Sequence, residues 1–64
     1  MLSKEKVKQD CLFIAFELQE MNKDDKLFHF LKQQLNCYLY ILDDDIPTEW
    51  YEMNMFIKLG VFDF

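Results

Sequence analysis

Side chains capable of nucleophilic chemistry are few in this 64-residue chain and scattered along it. The sequence holds one histidine, His29, two cysteines, Cys11 and Cys37, and a single serine and a single threonine, Ser3 and Thr48. A nucleophile needs a base within hydrogen-bond reach. Ser3 and Thr48 stand at predicted helix starts, and His29 falls on the polar side of a predicted helix. We therefore predict no catalytic site, and we expect that the protein is not an enzyme.

The same residues do not form a recognisable metal-binding pattern. Cys11, His29 and Cys37 match no spacing of zinc ligands, and the sequence offers no obvious fourth ligand. The run Asp43-Asp44-Asp45 lacks the alternating positions and the central glycine of a calcium loop. We predict no metal site and no cofactor.

Each cysteine lies inside one of the two longest apolar runs, Cys11–Phe16 and Cys37–Leu42. Each run has six residues, whereas a helix that spans a bilayer needs about 18 or more. No small-residue cleavage site follows the first run, so we expect no signal peptide and a cytoplasmic location. In that reducing compartment both thiols are predicted to be free and buried, with a Cys11–Cys37 disulfide as the alternative.

The charge balance disfavours partners with negatively charged surfaces. Seven lysines and no arginine face twelve acidic residues, which gives a net charge of −5. Such a chain repels phosphate backbones and anionic lipids, so we predict neither direct nucleic-acid binding nor membrane binding. Direct DNA binding by a helical module is therefore the least favoured of three candidate functions. The predicted acidic patch comprises Asp43, Asp44, Asp45, Glu49 and Glu52.

Hydrophobic periodicity predicts a compact all-α domain over residues 1–64, built from three helices at about 4–22, 25–42 and 47–59. Ser3 is the predicted cap of the first helix, and Asp24 or Asp25 is the predicted cap of the second. The branched and aromatic end of the second helix, Cys37–Leu42, has a short strand as its alternative. We favour a helix because the apolar arc that begins at Leu27 continues through it without a change of phase.

The third helix is predicted to begin in the acidic run. Asp45 is its candidate cap, and Pro47 fits the first turn, where a missing N–H costs nothing. The three carboxylates suit the positive start of this helix better than the negative end of the second helix. Gly60 is the predicted left-handed residue that ends it, and a short extended tail follows.

Two of the three helices are apolar on two sides. In the first helix, one stripe at steps of three and four residues is predicted to face the core: Val7, Cys11, Ile14, Leu18 and Met21. In the third helix, Trp50, Met53 and Ile57 are the predicted core-facing residues. The residues left over are the predicted partner interface: Leu12, Phe13, Phe16, Tyr51, Met55, Leu59, Phe62 and Phe64. The alternative is that one helix lies centrally and is covered on both sides, with the tail folded over it.

The small size and the apolar excess together predict association. A chain this short buries only about 60% of its unfolded surface, yet 52% of its residues are hydrophobic and 17% are aromatic. We predict a homodimer and a non-enzymatic regulatory or adaptor protein that binds another protein through the second faces of helices one and three. The alternative function is an acidic inhibitor or nucleic-acid mimic that occupies a basic cleft of its target.

Overall fold

The computed structural model describes residues 3–62, which form three α-helices and two short 3₁₀ helices. The α-helices are α1 (Lys4–Glu20), α2 (Lys26–Leu42) and α3 (Asn54–Leu59), and the 3₁₀ helices are Asp43–Asp45 and Thr48–Glu52. No strand occurs within this range, so the predicted all-α class with three helices is confirmed and the alternative strand at Cys37–Leu42 is wrong. Asp63 and Phe64 of the predicted tail lie outside the described residues.

Helices α1 and α2 form a hairpin around a short polar turn. The turn is held by the Asn22 side-chain oxygen, which accepts a 3.0 Å hydrogen bond from the Asp24 N–H. Asp25 caps α2 as predicted, because its carboxylate accepts a 2.9 Å hydrogen bond from the Leu27 N–H. Ser3 precedes α1, but its side chain makes no capping hydrogen bond. Its carbonyl instead accepts from the Val7 N–H.

The acidic run belongs to the end of α2 and not to the start of the third helix, so that prediction is wrong. Asp43 is the C-cap of α2, with a φ of 48° and a ψ of −112°, and its N–H donates to the Leu39 carbonyl. The run then turns through one 3₁₀ helix, and Asp45 caps nothing. Lys4 at the start of α1 forms an ion pair with Asp45. A lysine, and not the predicted helix dipole, therefore offsets part of the negative charge of the run.

The predicted helix over 47–59 is broken at Met53, which adopts an extended conformation with ψ of 126°. Trp50 lies in the 3₁₀ helix before the break and Phe56 lies in α3 after it, and their rings stack with centroids 5.0 Å apart. In one continuous α-helix, residues six positions apart would point about 120° away from each other. The break therefore lets both rings enter the core together, and packing outweighs local helix periodicity here.

In the described part of the chain, the core comprises twelve buried side chains from all three α-helices and the second 3₁₀ helix. They are Val7, Cys11, Ile14, Ala15, Leu18, Phe28, Leu35, Leu39, Leu42, Trp50, Phe56 and Leu59. The predicted stripe on α1 is confirmed, with Met21 partly buried at its end. None of the buried side chains within residues 3–62 is polar or charged.

The break at Met53 changes which side of α3 faces inward. Ile57, predicted to lie in the core, is 56% exposed, whereas Leu59, predicted to face a partner, is only 8% exposed. Phe56, which the predicted faces left out, is fully buried. Gly60 ends α3 as predicted, with φ of 69° and an N–H shared between the carbonyls of Phe56 and Ile57.

Candidate functional site

Among residues 3–62, nine large hydrophobic side chains are exposed. They are Leu12, Phe13, Phe16, Leu27, Phe30, Tyr40, Ile41, Tyr51 and Ile57. Single exposed hydrophobic residues are ordinary, whereas groups of them on one helix face are typical of binding surfaces. Seven of the nine lie on α1 and α2, which makes the outer faces of the hairpin the main candidate surfaces.

The outer face of α1 carries the first candidate surface, which we call the α1 face: Leu12, Phe13 and Phe16. These side chains are 37%, 68% and 60% exposed. At roughly 100° per residue they occupy the side of α1 opposite the buried stripe. Glu17 and Glu20 are exposed near its carboxyl-terminal end. The structure therefore places all three predicted residues of helix one together and exposed.

The predicted interface residues of helix three and the tail do not form one face. Tyr51 is 41% exposed, Met55 and Phe62 are partly buried against the core, and Leu59 is part of the core. Phe64 lies outside the described residues. The reason is again the break at Met53, because it places Tyr51 and Met55 in separate helical segments.

Tyr51 and Phe62 instead line a groove of about 380 Å³ that also includes part of the acidic run. Their ring centroids are 4.5 Å apart. Tyr40, which is 87% exposed, lies on the α2 side, and Asp43 and Asp44 stand beside it. Carboxylates next to aromatic rings favour a cationic side chain, through ion pairing and through attraction to the ring faces.

Met55 and Leu59 line a second groove on the other side of the fold. It has a volume of about 550 Å³, and Leu18 and Phe28 contribute to its wall. Lys23, Lys58 and Glu20 also line it, so this groove combines an apolar floor with charges of both signs.

The rest of the predicted acidic patch is not concentrated at one place. Asp45 is engaged by Lys4, whose hydrogen bond and positive charge lower the pKa of the Asp45 carboxyl, and the same contact raises the pKa of Lys4. Both groups are solvent-exposed, so this pair contributes little to stability. Glu49 and Glu52 are exposed on the second 3₁₀ helix and do not line the groove of Asp43 and Asp44.

The two cysteines occupy different environments, and the prediction that both are buried is wrong for Cys37. Cys11 is fully buried in the core, and burial, with a smaller effect of the neighbouring Asp10 charge, raises the pKa of its thiol to about 11. It is therefore neutral at pH 7 and a poor nucleophile. Cys37 is exposed, and neither thiol is in a disulfide. His29 and Cys37 are about 12 Å apart along the axis of α2, so the two do not form a nucleophile–base pair.

The sequence pattern predicts a polar outer side for α2, but apolar side chains are exposed there. Leu27, at which the predicted apolar arc of this helix begins, is 49% exposed, and Phe30 and Ile41 are 62% and 44% exposed. With Gln34 and Cys37 they recur at steps of three and four residues, which places them on one side of the helix. This α2 stripe, residues 27, 30, 34, 37 and 41, has a spacing that is visible in the sequence and could have been found there.

Comparisons with protein-family models, with curated proteins and with solved structures find no match to this chain. Within residues 3–62, no three side chains of His, Cys, Asp or Glu are grouped closely enough to hold a metal ion. Over the same range, none of the helices combines the length and the apolar character that a bilayer crossing requires.

Proposed function

We propose that this protein acts by binding another protein, and that the α1 face inserts into an apolar groove of that target. The observation that carries the proposal is the grouping of Leu12, Phe13 and Phe16 on the solvent side of α1, each between 37% and 68% exposed. Leu12 and Phe16 are four residues apart, a spacing by which amphipathic helices engage apolar grooves. In this role the protein is a non-enzymatic regulator or adaptor.

The size of the two phenylalanines supports a substantial contribution to binding. Phe13 and Phe16, at 68% and 60% exposed, leave roughly 250 Å² of aromatic surface in water. Burial of that area contributes about 6 kcal/mol before the entropic costs of association are subtracted. Aromatic residues are also enriched at the centres of protein interfaces. The exposed Glu17 and Glu20 favour a target whose groove has a basic rim.

Substitution Phe16→Glu tests the proposal. It places a charge at the centre of the α1 face without touching the buried stripe, so we expect normal helix content by circular dichroism. Affinity for a purified target, first captured from an extract of the source cell, is expected to fall at least about 30-fold, as for a central hot-spot residue. Isothermal titration calorimetry provides the measurement.

Gln33→Glu is the matched control, because it adds the same charge to an exposed position on α2, outside the α1 face. It is expected to leave the affinity within about threefold of wild type, as for a residue outside the centre of an interface. Retention of wild-type affinity by Phe16→Glu would exclude the α1 face as the binding surface. Equal losses in both variants would indicate a general charge effect.

A second candidate function, the acidic inhibitor that occupies a basic cleft, is favoured by the groove between Tyr40, Tyr51 and Phe62. Asp43 and Asp44 at this groove are the carboxylates suited to receive a lysine or arginine of a target. The double substitution Asp43→Asn/Asp44→Asn is then expected to weaken target binding about tenfold and to reduce its salt dependence. Binding that is insensitive both to salt and to this substitution would eliminate the candidate, and Glu49→Gln is its control.

A further inference from the structure

The α2 stripe has a composition that is nearly symmetric about its centre. Two apolar positions, Leu27 and Phe30, precede Gln34, and two more, Cys37 and Ile41, follow it at nearly mirrored spacings. The stripe residues fall within roughly 80° of one another around the helix, on the side away from the core. An interface between two identical surfaces requires a patch that complements itself after a half-turn.

We propose that the occupant of the α2 stripe is a second copy of this chain, with the two α2 helices antiparallel about a two-fold axis near Gln34. Phe30 of each copy then packs toward Cys37 and Ile41 of the other. The inference goes beyond the proposed function, because it concerns α2 and does not depend on whether the α1 face binds a target. It also assigns the predicted homodimer to a surface other than the faces of helices one and three.

Charge along α2 selects the antiparallel direction. The helix begins among exposed charges of both signs, Lys23, Asp24, Asp25 and Lys26, and ends in the exposed carboxylates of Asp43 and Asp44. An antiparallel pair brings Lys26 of each helix toward the carboxylates at the end of the other and also opposes the two helix dipoles. A parallel pair would place the two acidic ends side by side, where like charges repel. The charges therefore favour the antiparallel pair.

The extent of the stripe sets the expected affinity. Helix α2 has 17 residues and is about 26 Å long, and one face of such a helix is smaller than the roughly 800 Å² per partner of a standard interface. We therefore expect a dissociation constant in the micromolar range. Association should be followed from about 1 µM to several hundred micromolar, so that the transition between monomer and dimer is sampled.

Size-exclusion chromatography with light scattering tests the dimer. At high concentration the mass of the wild-type protein is expected to approach twice the 7.9 kDa of one chain. Phe30→Glu is expected to remain monomeric with unchanged helix content. Tyr40→Glu is the matched control, since Tyr40 is also an exposed aromatic residue of α2 but lies about 100° from the centre of the stripe. It is expected to dimerise like wild type.

Cysteine cross-linking tests the direction of the helices. In the antiparallel pair, the two Cys37 residues lie about 9 Å apart along the helix axis and on helices about 8–10 Å apart, beyond disulfide reach. In a parallel pair they would face each other and oxidise readily. We expect Gln34→Cys/Cys37→Ser, with its thiol at the axis, to form a covalent dimer under mild oxidation. Wild type and Asn36→Cys/Cys37→Ser, which places the thiol off the stripe, are expected to remain uncross-linked.

A charge exchange provides the second test of direction. Lys26→Glu is expected to weaken dimerisation several-fold, and adding Asp44→Lys is expected to restore it, because the two positions meet across the antiparallel pair. A Cys37 disulfide in the wild type, or an absence of rescue by Asp44→Lys, would overturn the antiparallel arrangement.

A folded wild-type monomer at several hundred micromolar would overturn the dimer itself. If that monomer bound anionic or neutral lipid vesicles in a manner lost in Phe30→Glu, the occupant of the stripe would be lipid. If it bound only the target of the α1 face and Phe30→Glu abolished that binding, the stripe would belong to the target interface. Because Phe16→Glu affects target affinity and Phe30→Glu affects mass, failure of one proposal is distinguishable from failure of the other.

Discussion

Replacing Phe56 with alanine is expected to remove most of the stability of this protein. Phe56 is fully buried, its ring stacks on Trp50 at 5.0 Å, and the Phe62 ring centroid lies 5.4 Å away. Truncating a buried phenylalanine costs about 3–5 kcal/mol, because apolar contacts are lost and a cavity remains. A domain of this size has a total stability of roughly 3–10 kcal/mol. Urea denaturation followed by circular dichroism should show a large fall in the transition midpoint, or no native baseline.

Ile57→Ala is the matched control for this prediction. Ile57 follows Phe56 directly, but it is 56% exposed, so its truncation is expected to change the unfolding free energy by about 0.5 kcal/mol or less. The pair therefore reports which side of α3 faces the core. If Ile57→Ala were the costlier substitution, α3 would have the orientation that a continuous helix over 47–59 predicts.

The sequence predicts α1 and α2 well because their hydrophobic periodicity runs unbroken for 17 residues each. The buried positions on α1 and the Asp25 cap follow directly from spacing and side-chain chemistry. The break at Met53 does not, since methionine is a good helix former and no local signal stops the helix there. We attribute the break to the stacking of Trp50 on Phe56. This contact is not visible in the local sequence, because it forms only when both rings pack in the same core.

The candidate surfaces were predictable in part. Periodicity identifies Leu12 and Phe16 as surplus to the buried stripe of α1, and the structure places both in the solvent-facing group. The prediction does not include the α2 stripe because Lys26, His29 and Gln33, which alternate with its residues in sequence, indicate a polar outer side. A helix side can be described as polar only after each side chain has been assigned its angle around the helix axis. Phe30 and Ile41 lie at different angles around α2 from those three polar residues.

The second large effect is expected at Ala15, where substitution by leucine should destabilise the protein by about 1–3 kcal/mol. Ala15 is fully buried in the middle of α1, the helix that packs against both α2 and α3. A leucine adds three carbon atoms at a position without solvent on any side, so neighbouring side chains must leave their preferred rotamers or the helices must separate. Urea denaturation followed by circular dichroism measures the loss.

Two further variants separate crowding from other causes. Glu17→Leu introduces the same side chain at an exposed position of α1 and is expected to change stability by about 0.5 kcal/mol or less. Ala15→Gly removes only a methyl group and is expected to cost about 1 kcal/mol through helix propensity. An Ala15→Leu protein as stable as wild type would mean that the helices leave unfilled space at this position.

The core around Ala15 does not include the second apolar side of α1. Val7, Ile14 and Leu18 are buried on the same side as Ala15, whereas Phe13 and Phe16 are exposed. The two phenylalanines lie too far around the helix to join that core. If Phe16→Glu leaves the fold and its stability unchanged, whereas Ala15→Leu destabilises the protein, then the core depends on the buried side of α1 and is complete without the α1 face. Its phenylalanines are in that case accounted for by binding and not by folding.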